Sequence, residues 1–175
     1  MSIRDRIIAL EGSELWRFEP RGYRVKRRLY LTSAAMKDLT DAGSAINVLH
    51  LRGFVQSALV HWVTGGRVRA DTKGRARFLK RLCPPPPEIW EVRVTDPVPQ
   101  VRLLGCVVEP DTLVLTKFHT RRYLGDKRSP NSGWREALPA CAAALAALFP
   151  GEPLFQRNSI KDYVTENCDD YPITC

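Results

Sequence analysis

The residues best suited to chemistry in this chain open a basic segment that runs from Lys117 to Arg128. The groups are an ammonium, an imidazole, two guanidiniums and a phenol, at Lys117, His119, Arg121, Arg122 and Tyr123. A guanidinium grips two oxygens of a phosphate, and an imidazole with an ordinary pKa near 6.5 exchanges protons at neutral pH. A tyrosine ring stacks on a nucleobase or donates a proton. These types together indicate phosphate binding combined with proton transfer.

Each of these residues also has a structural interpretation. A lone histidine such as His119 often has a structural role in the core, and neighbouring arginines often form a solvated turn. Tyr123 could equally cover apolar side chains at the end of a strand. The residue types alone therefore leave both interpretations open.

The charge of the whole chain points to a polyanionic ligand. The formal net charge is +8 and the isoelectric point is about 9.5. Positive residues concentrate between Arg17 and Arg28, between Arg67 and Arg81, and between Lys117 and Arg128. Such clusters concentrate polyanions and give salt-sensitive binding. We expect a phosphate backbone as the ligand, the alternative being a basic face that only aids solubility.

Several classes of protein are disfavoured by the sequence. About 20 apolar residues without a charge would be needed for a membrane-spanning helix, and no such window occurs. The first residues lack the apolar core of a secretory signal, so we expect a cytoplasmic protein. The five cysteines include no Cys-x-x-Cys pair, and the three histidines are scattered. We therefore expect buried or terminal thiols, with no metal site and no cofactor.

Periodicity predicts one α+β domain. Residues 15–20 and 23–31 are expected to form a hairpin, and residues 33–65 a helical hairpin capped at Thr32 or Ser33 and at Ser44. Pro84 to Pro87 predict a stiff spacer. Residues 89–95, 101–108 and 113–119 predict three antiparallel strands joined by short turns. A final helix is expected from Ser132 to about Phe149, kinked or delayed by Pro139.

The amino-acid sequence of these segments is similar to the sequences of a known family. The stretches "FLKRLCPPPPEIWEVRV" and "QVRLLGCVVEPDTLVLTKFHTRR" precede "WREALPACAAALAALF". This order resembles the RelE/ParE superfamily of toxin–antitoxin toxins, especially its HigB-like branch. The matching positions are Leu79-Lys80 with Leu82, Trp90 to Val94, Val101 to Leu103, and Leu115 to Phe118. "LYLTSAAMKDL" matches the opening strand and helix, whereas the proline run is an insertion and Thr120 replaces part of a Lys-Lys pair.

The resemblance implies a fold with a helical hairpin on a small antiparallel sheet. It places residues 1–28 in an N-terminal extension, residues 29–150 in the RelE-like domain and residues 151–175 in an acidic C-terminal tail. That tail is expected either to fray or to lie over the basic face, where it would stand in for part of an antitoxin. Deleting it would then raise the affinity for RNA.

The resemblance also implies an activity. RelE-like members cut mRNA on the ribosome without a metal: the 2′-hydroxyl attacks the adjacent phosphate and releases a 5′-hydroxyl. Arg102 is then the phosphate-clamping arginine, His119 the base or acid, and Arg121 and Tyr123 the other catalytic candidates. The remaining nucleic-acid contacts are expected from Lys80, Arg81, Arg93, Lys117 and Arg122. The implied partners are mRNA, the ribosome and a cognate antitoxin protein, with no membrane.

Two other functions fit the same resemblance. ParE-like members inhibit DNA gyrase and cut nothing. A phage-derived protein of this fold could bind nucleic acid without catalysis. Fold alone does not choose between them.

Overall fold

A seven-stranded mixed sheet forms the centre of the protein. The computed structural model describes residues 2–71, 78–82 and 88–169. The strands are β1 (Leu15–Arg17), β2 (Arg28–Thr32), β3 (Ala70–Asp71), β4 (Leu79–Arg81), β5 (Trp90–Val94), β6 (Val101–Glu109) and β7 (Thr112–Thr120). Their order across the sheet is β1-β2-β7-β6-β5-β4-β3. The pairs β2–β7 and β3–β4 are parallel, and the other neighbours are antiparallel.

Helices cover both faces of the sheet. They are α1 (Ile3–Leu10), α2 (Ser33–Thr40), α3 (Ala45–Val48), α4 (Arg52–Val63), α5 (Arg121–Leu124), α6 (Trp134–Leu148) and α7 (Ile160–Tyr163). The first face carries α2, α3, α4 and α7, packed on Leu29, Leu103 and Leu115. The second face carries α1 and α6, packed on Leu104 and Val114. Among the described helices, none is long and apolar enough to cross a membrane.

The three-stranded antiparallel meander predicted from the sequence is confirmed as β5, β6 and β7. Its register shifts between Leu104 and Gly105, where a Cβ on Gly105 would collide with the carbonyl of Val114. Only glycine therefore fits at this close approach. The strand pair β1–β2 also confirms the predicted hairpin around Arg21-Gly22.

The α+β class is confirmed, but the sheet is larger than the small antiparallel sheet expected. The N-terminal extension supplies α1 and the edge strand β1, and β2 joins β7 in parallel. The predicted second helix of the hairpin is broken into α3 and α4. His50 lies at the break with a φ of 54°, in the left-handed region that ends a helix.

The described part of the C-terminal segment is built into the fold, in contrast to the predicted tail. Ile160, Tyr163 and Val164 are buried in the core of the first face. Val68 bridges to Cys168, and Arg67 Nη2 lies 2.7 Å from Asp169 Oδ1. Ile160, Tyr163 and Val164 therefore lie on the opposite side of the sheet from Arg102 and His119. Residues 170–175 and the proline run lie outside the described residues.

Two of the cysteines are buried between the sheet and α6. Cys106 and Cys141 belong to the second core, and Thr116 Oγ1 lies 3.2 Å from Cys141 Sγ. Burial raises the pKa of the Cys141 thiol to about 11. These two residues match the expected buried thiols, while Cys83 and Cys175 lie outside the described residues.

Candidate nucleic-acid interface

Two adjacent rows of side chains bring the basic residues together on the second face. Arg93, Arg102 and His119 face one another across β5, β6 and β7. In the next row Lys80 is paired with Glu91, and beyond them lie Leu104 and Lys117. Leu104 belongs to the second core, and side chains two residues apart on a strand share a face. The register alone therefore gathers five cationic or imidazole groups on this face.

A buried carboxylate lies at the centre of this cluster. Oε2 of Glu91 is 3.4 Å from Nε of Arg102, and Oε1 is 3.6 Å from Nε of Arg93. The side chains of Glu91 and Arg102 are only 5% and 3% exposed, whereas that of Arg93 is 16% exposed. Glu91 therefore aligns both arginines, and Arg93 is the one nearer to solvent.

The guanidinium of Arg102 is held by its own surroundings. Nη1 donates to the carbonyl of Val101 at 2.9 Å, and Nη2 donates to Oε1 of Gln100 at 2.8 Å. With Nε directed at Glu91, all three nitrogens have partners. Arg102 thus contributes positive potential at the site, and a direct clamp on phosphate would require it to leave one of these partners.

Burial shifts the ionisation of the pair. Loss of water raises the pKa of Glu91, although Arg102 and Arg93 oppose this change. The same cause lowers the pKa of Arg102, against the attraction of Glu91. Both shifts disfavour the charged forms. The pair is thus held at a cost in stability, as is common at functional sites.

His119 lies directly across from Arg102 on the neighbouring strand. Its ring is stacked on that of Tyr123, with centroids 5.4 Å apart and an angle of 11°. Burial lowers the pKa of His119 below 6.5, although Asp38 opposes the change. The imidazole is therefore mainly neutral at pH 7 and able to accept a proton.

Tyr123 is fixed over His119 by a second contact. Its hydroxyl donates a 2.7 Å hydrogen bond to Oε2 of Glu136 at the start of α6. That hydrogen bond raises the pKa of the Tyr123 phenol. The backbone N–H of Tyr123 in turn donates to Oγ1 of Thr120, the N-cap of α5. Tyr123 is half-exposed.

Lys117 lies at the edge that β2 leaves open when it turns into α2. Its Nζ is 2.5 Å from Oδ1 of Asp38, and Asp38 Oδ2 accepts the backbone N–H of Phe118 at 2.9 Å. Asp38 thus takes the place of a strand partner for β7. The Lys117 side chain is 45% exposed, so the ammonium remains within reach of a phosphate.

Lys127 extends the cluster on the opposite side. Its Nζ lies 5.6 Å from the centroid of the Trp134 ring, a cation–π distance. Burial is the main cause that lowers the pKa of Lys127, and repulsion from Lys80 is the second. Attraction to Glu91 opposes the change. Lys80 and Lys127 therefore share one small region above Glu91.

Arg121 and Arg122 lie where the sheet ends. The backbone N–H of Arg121 donates to the carbonyl of Gln100 at 2.6 Å, and its guanidinium donates to the carbonyl of Gly125. Arg122 is exposed. Both side chains line a groove of about 620 Å³ with Leu49, Val98, Pro99 and Gln100. They are continuous with the cluster but do not lie within it.

Arg81 is the one predicted contact residue on the other face. Its Nη2 lies 2.7 Å from Oε2 of Glu88, and both side chains are 7% exposed. Glu88 Oε1 also accepts hydrogen bonds from Trp90 Nε1 and the Tyr163 hydroxyl, at 3.1 and 3.0 Å. Arg81 therefore secures the C-terminal segment to the sheet and does not face the cluster. The expectation that it contacts nucleic acid is corrected by this burial.

Sequence reasoning missed several members of the site. Glu91 alternates with Trp90 and Val92, so the pattern places it on a solvent face, and no local signal reveals the arginines beneath and beside it. Asp38, Gln100 and Glu136 are ordinary polar residues in the sequence, and only the fold brings them to the cluster. The sequence identifies Lys127 only as part of a basic segment.

The described residues contain no group of three or more histidine, cysteine or acidic side chains able to hold a metal ion. Comparison with protein-family models, with curated proteins and with solved structures gives no match to this chain. The interpretation of the site therefore depends on its own geometry: a rim of partly exposed cations, a neutral imidazole and a buried ion pair on one sheet face.

Proposed function

We propose that this protein is a metal-independent endoribonuclease of the RelE/ParE type, HigB-like, that cleaves mRNA on the ribosome. The observation that supports it best is the row Arg93, Arg102 and His119, which joins a proton acceptor to two guanidiniums on one sheet face. Cleavage by the 2′-hydroxyl needs both, since a proton must leave the nucleophile while negative charge grows on phosphorus.

In this proposal His119 is the base. Its neutral imidazole accepts the proton of the 2′-hydroxyl, and the oxygen attacks the adjacent phosphorus. The phosphodiester then becomes a 2′,3′-cyclic phosphate, and the leaving 5′-oxygen takes a proton from water on the open side of the site. Tyr123 holds the imidazole in place through ring stacking and its hydrogen bond to Glu136.

The cations have different tasks in the same step. Arg93, Lys80, Lys117 and Lys127 form the rim that contacts phosphate oxygens. Arg102 acts from beneath through its positive potential, and Glu91 positions the two arginines. A preorganised field of this kind stabilises charge in the transition state because it needs no rearrangement as charge develops.

A noncatalytic RNA-binding protein is the second candidate. It is favoured by the burial of Arg102, whose three nitrogens already have partners. In that case the same rim would bind a backbone, and His119 would be a stacking partner for Tyr123. A cognate antitoxin remains an expected partner of the first candidate.

The experiment that separates these candidates is induced expression followed by mapping of RNA 5′ ends. The wild type should produce new 5′ ends inside translated codons, and His119→Ala should abolish them. His61→Gln is the matched control, since His61 lies at the end of α4 near Arg67 and Phe78. Binding without new 5′ ends would favour the second candidate, and DNA breaks with intact RNA would favour gyrase inhibition.

A further inference from the structure

The groove at the end of the sheet is the strongest unassigned feature of the described residues. It measures about 620 Å³, within the range of small-molecule pockets, and its lining is mostly apolar. Leu49 and Val98 are 42% and 85% exposed there. Arg121 and Arg122 border the same groove. It therefore offers an apolar surface with positive charge on one side.

The groove is joined to the cluster by one residue. Gln100 lines the groove, and its Oε1 accepts a hydrogen bond from Arg102 Nη2 at 2.8 Å. Gln100 and Arg102 are two positions apart in the chain, a distance of about 7 Å in extended backbone. A strand of nucleic acid whose phosphate lies beside His119 would thus place its neighbouring nucleotide at the groove.

We propose that this groove is the binding site for a nucleobase next to the scissile phosphate of a single-stranded RNA. The occupant must combine a flat apolar body with anionic ends, which a nucleotide does. The base lies against Val98, Pro99 and Leu49, and the flanking phosphate contacts Arg122. Base pairing would keep a base away from this surface, so the site selects single strands. The inference rests on the proposed function, since it takes the scissile phosphate to lie at His119.

The test uses the full chain and a pentaribonucleotide of adenosine whose 2′-hydroxyls are methylated, so that it binds without being cut. A series of the same probe, each with one abasic position, is measured by fluorescence anisotropy. The wild type should bind the probe with one particular abasic position about 5-fold more weakly than the intact probe. This factor corresponds to the loss of roughly 40 Å² of buried apolar surface. Val98→Ser should remove this difference, and Val98→Trp should enlarge it.

Two further variants control the interpretation. Ile8→Ser removes an aliphatic side chain of similar exposure on α1 and should behave as the wild type. Arg122→Gln should weaken intact and abasic probes by the same factor, because it contacts phosphate and not the base. Equal affinity of the wild type for all probes, discrimination that persists in Val98→Ser, or no binding of the probe would overturn the proposal.

Failure of the proposed function gives a different result. One such result is discrimination at one abasic position that disappears in Val98→Ser, with no cleavage of unmodified mRNA on ribosomes. It would support the base site and refute the nuclease activity. Cleavage that depends on His119, with equal affinity for intact and abasic probes, would support the nuclease activity and refute the base site.

Discussion

Glu91 and Arg102 form a buried ion pair on neighbouring strands, with Oε2 and Nε 3.4 Å apart and both side chains at most 5% exposed. Among the described residues, none donates a hydrogen bond to this oxygen of Glu91, so its contact with Arg102 is purely ionic. The pair lies beneath the exposed cations of the candidate site. Its shifted ionisation indicates that desolvation outweighs the attraction between the partners.

The first prediction concerns the stability of this pair. Arg102→Met should lower the free energy of unfolding by about 3 kcal/mol, because it leaves the Glu91 carboxylate buried with Arg93 as its remaining close cation. Adding Glu91→Gln should restore most of this loss, since the double variant buries no charge at these positions. Chemical denaturation at pH 7 measures both. A double variant less stable than Arg102→Met would refute the claim that the charges cost stability.

The second prediction is a pH profile. Burial lowers the pKa of His119 below 6.5, so its neutral form is present in the folded protein at pH 7. The rate of RNA cleavage should therefore rise with pH through this lowered pKa and be level above about pH 7. The stability contributed by the neutral form should be present above 6.5 and be lost as pH falls through the lowered pKa.

The profile is measured with a single RNA substrate and compared with an NMR titration of the His119 ring. The two midpoints should agree. A cleavage rate that rises only above pH 8 would show that a group other than His119 is the base.

The third prediction separates the two contacts of Tyr123. Tyr123→Phe keeps the ring over His119 and removes only an exposed hydrogen bond to Glu136, so stability should change by less than about 1 kcal/mol. Tyr123→Ala uncovers the imidazole, and the pKa of His119 should rise toward 6.5. Chemical denaturation measures the stability change, and NMR titration of the His119 ring gives its pKa in each variant. An identical His119 pKa in the two variants would show that the stacked ring does not shield the imidazole.

The fourth prediction concerns the C-terminal segment. Its Tyr163 hydroxyl donates to Glu88 and accepts the backbone N–H of Arg157 at 2.6 Å, in a buried network with Arg81. Tyr163→Phe should therefore cost about 2 kcal/mol, measured by urea unfolding. Tyr123→Phe is the control, since the hydroxyl that it removes is exposed.

A protein that ends at residue 150 extends this prediction. It should lose cooperative unfolding, because Ile160, Tyr163 and Val164 complete the first core. A truncated protein that stays folded and binds RNA more tightly would instead support the masking tail expected from the sequence.

The sequence predicts the meander closely because local signals specify it. Residues 89–95, 101–108 and 113–119 were expected, and the strands span Trp90–Val94, Val101–Glu109 and Thr112–Thr120. Alternation of apolar residues and short turns are sufficient here. The relation of Arg102 to His119 then follows from antiparallel pairing, although no sequence pattern states their register.

Other features lack a local signal. The parallel pair β2–β7 joins residues far apart in the chain, so neither strand shows which partner it has. Glu91 has the pattern of a solvent-facing residue, yet β6 and the cations around it enclose the carboxylate. The acidic composition of the last residues suggested a tail, because charge counts do not reveal that Tyr163 and Val164 fill a core.

The proposed cleavage is tested most directly by the chemistry of the products that the purified protein makes on ribosomes programmed with a defined mRNA. A cut should leave a 5′-hydroxyl on one product and a 2′,3′-cyclic phosphate on the other. A single 2′-deoxy nucleotide at the cut position should abolish it, and so should His119→Ala, while His61→Gln should cut as the wild type. Cutting by His119→Ala at the wild-type rate, or products with 5′-phosphates, would refute the proposal that His119 is the base in a 2′-hydroxyl attack.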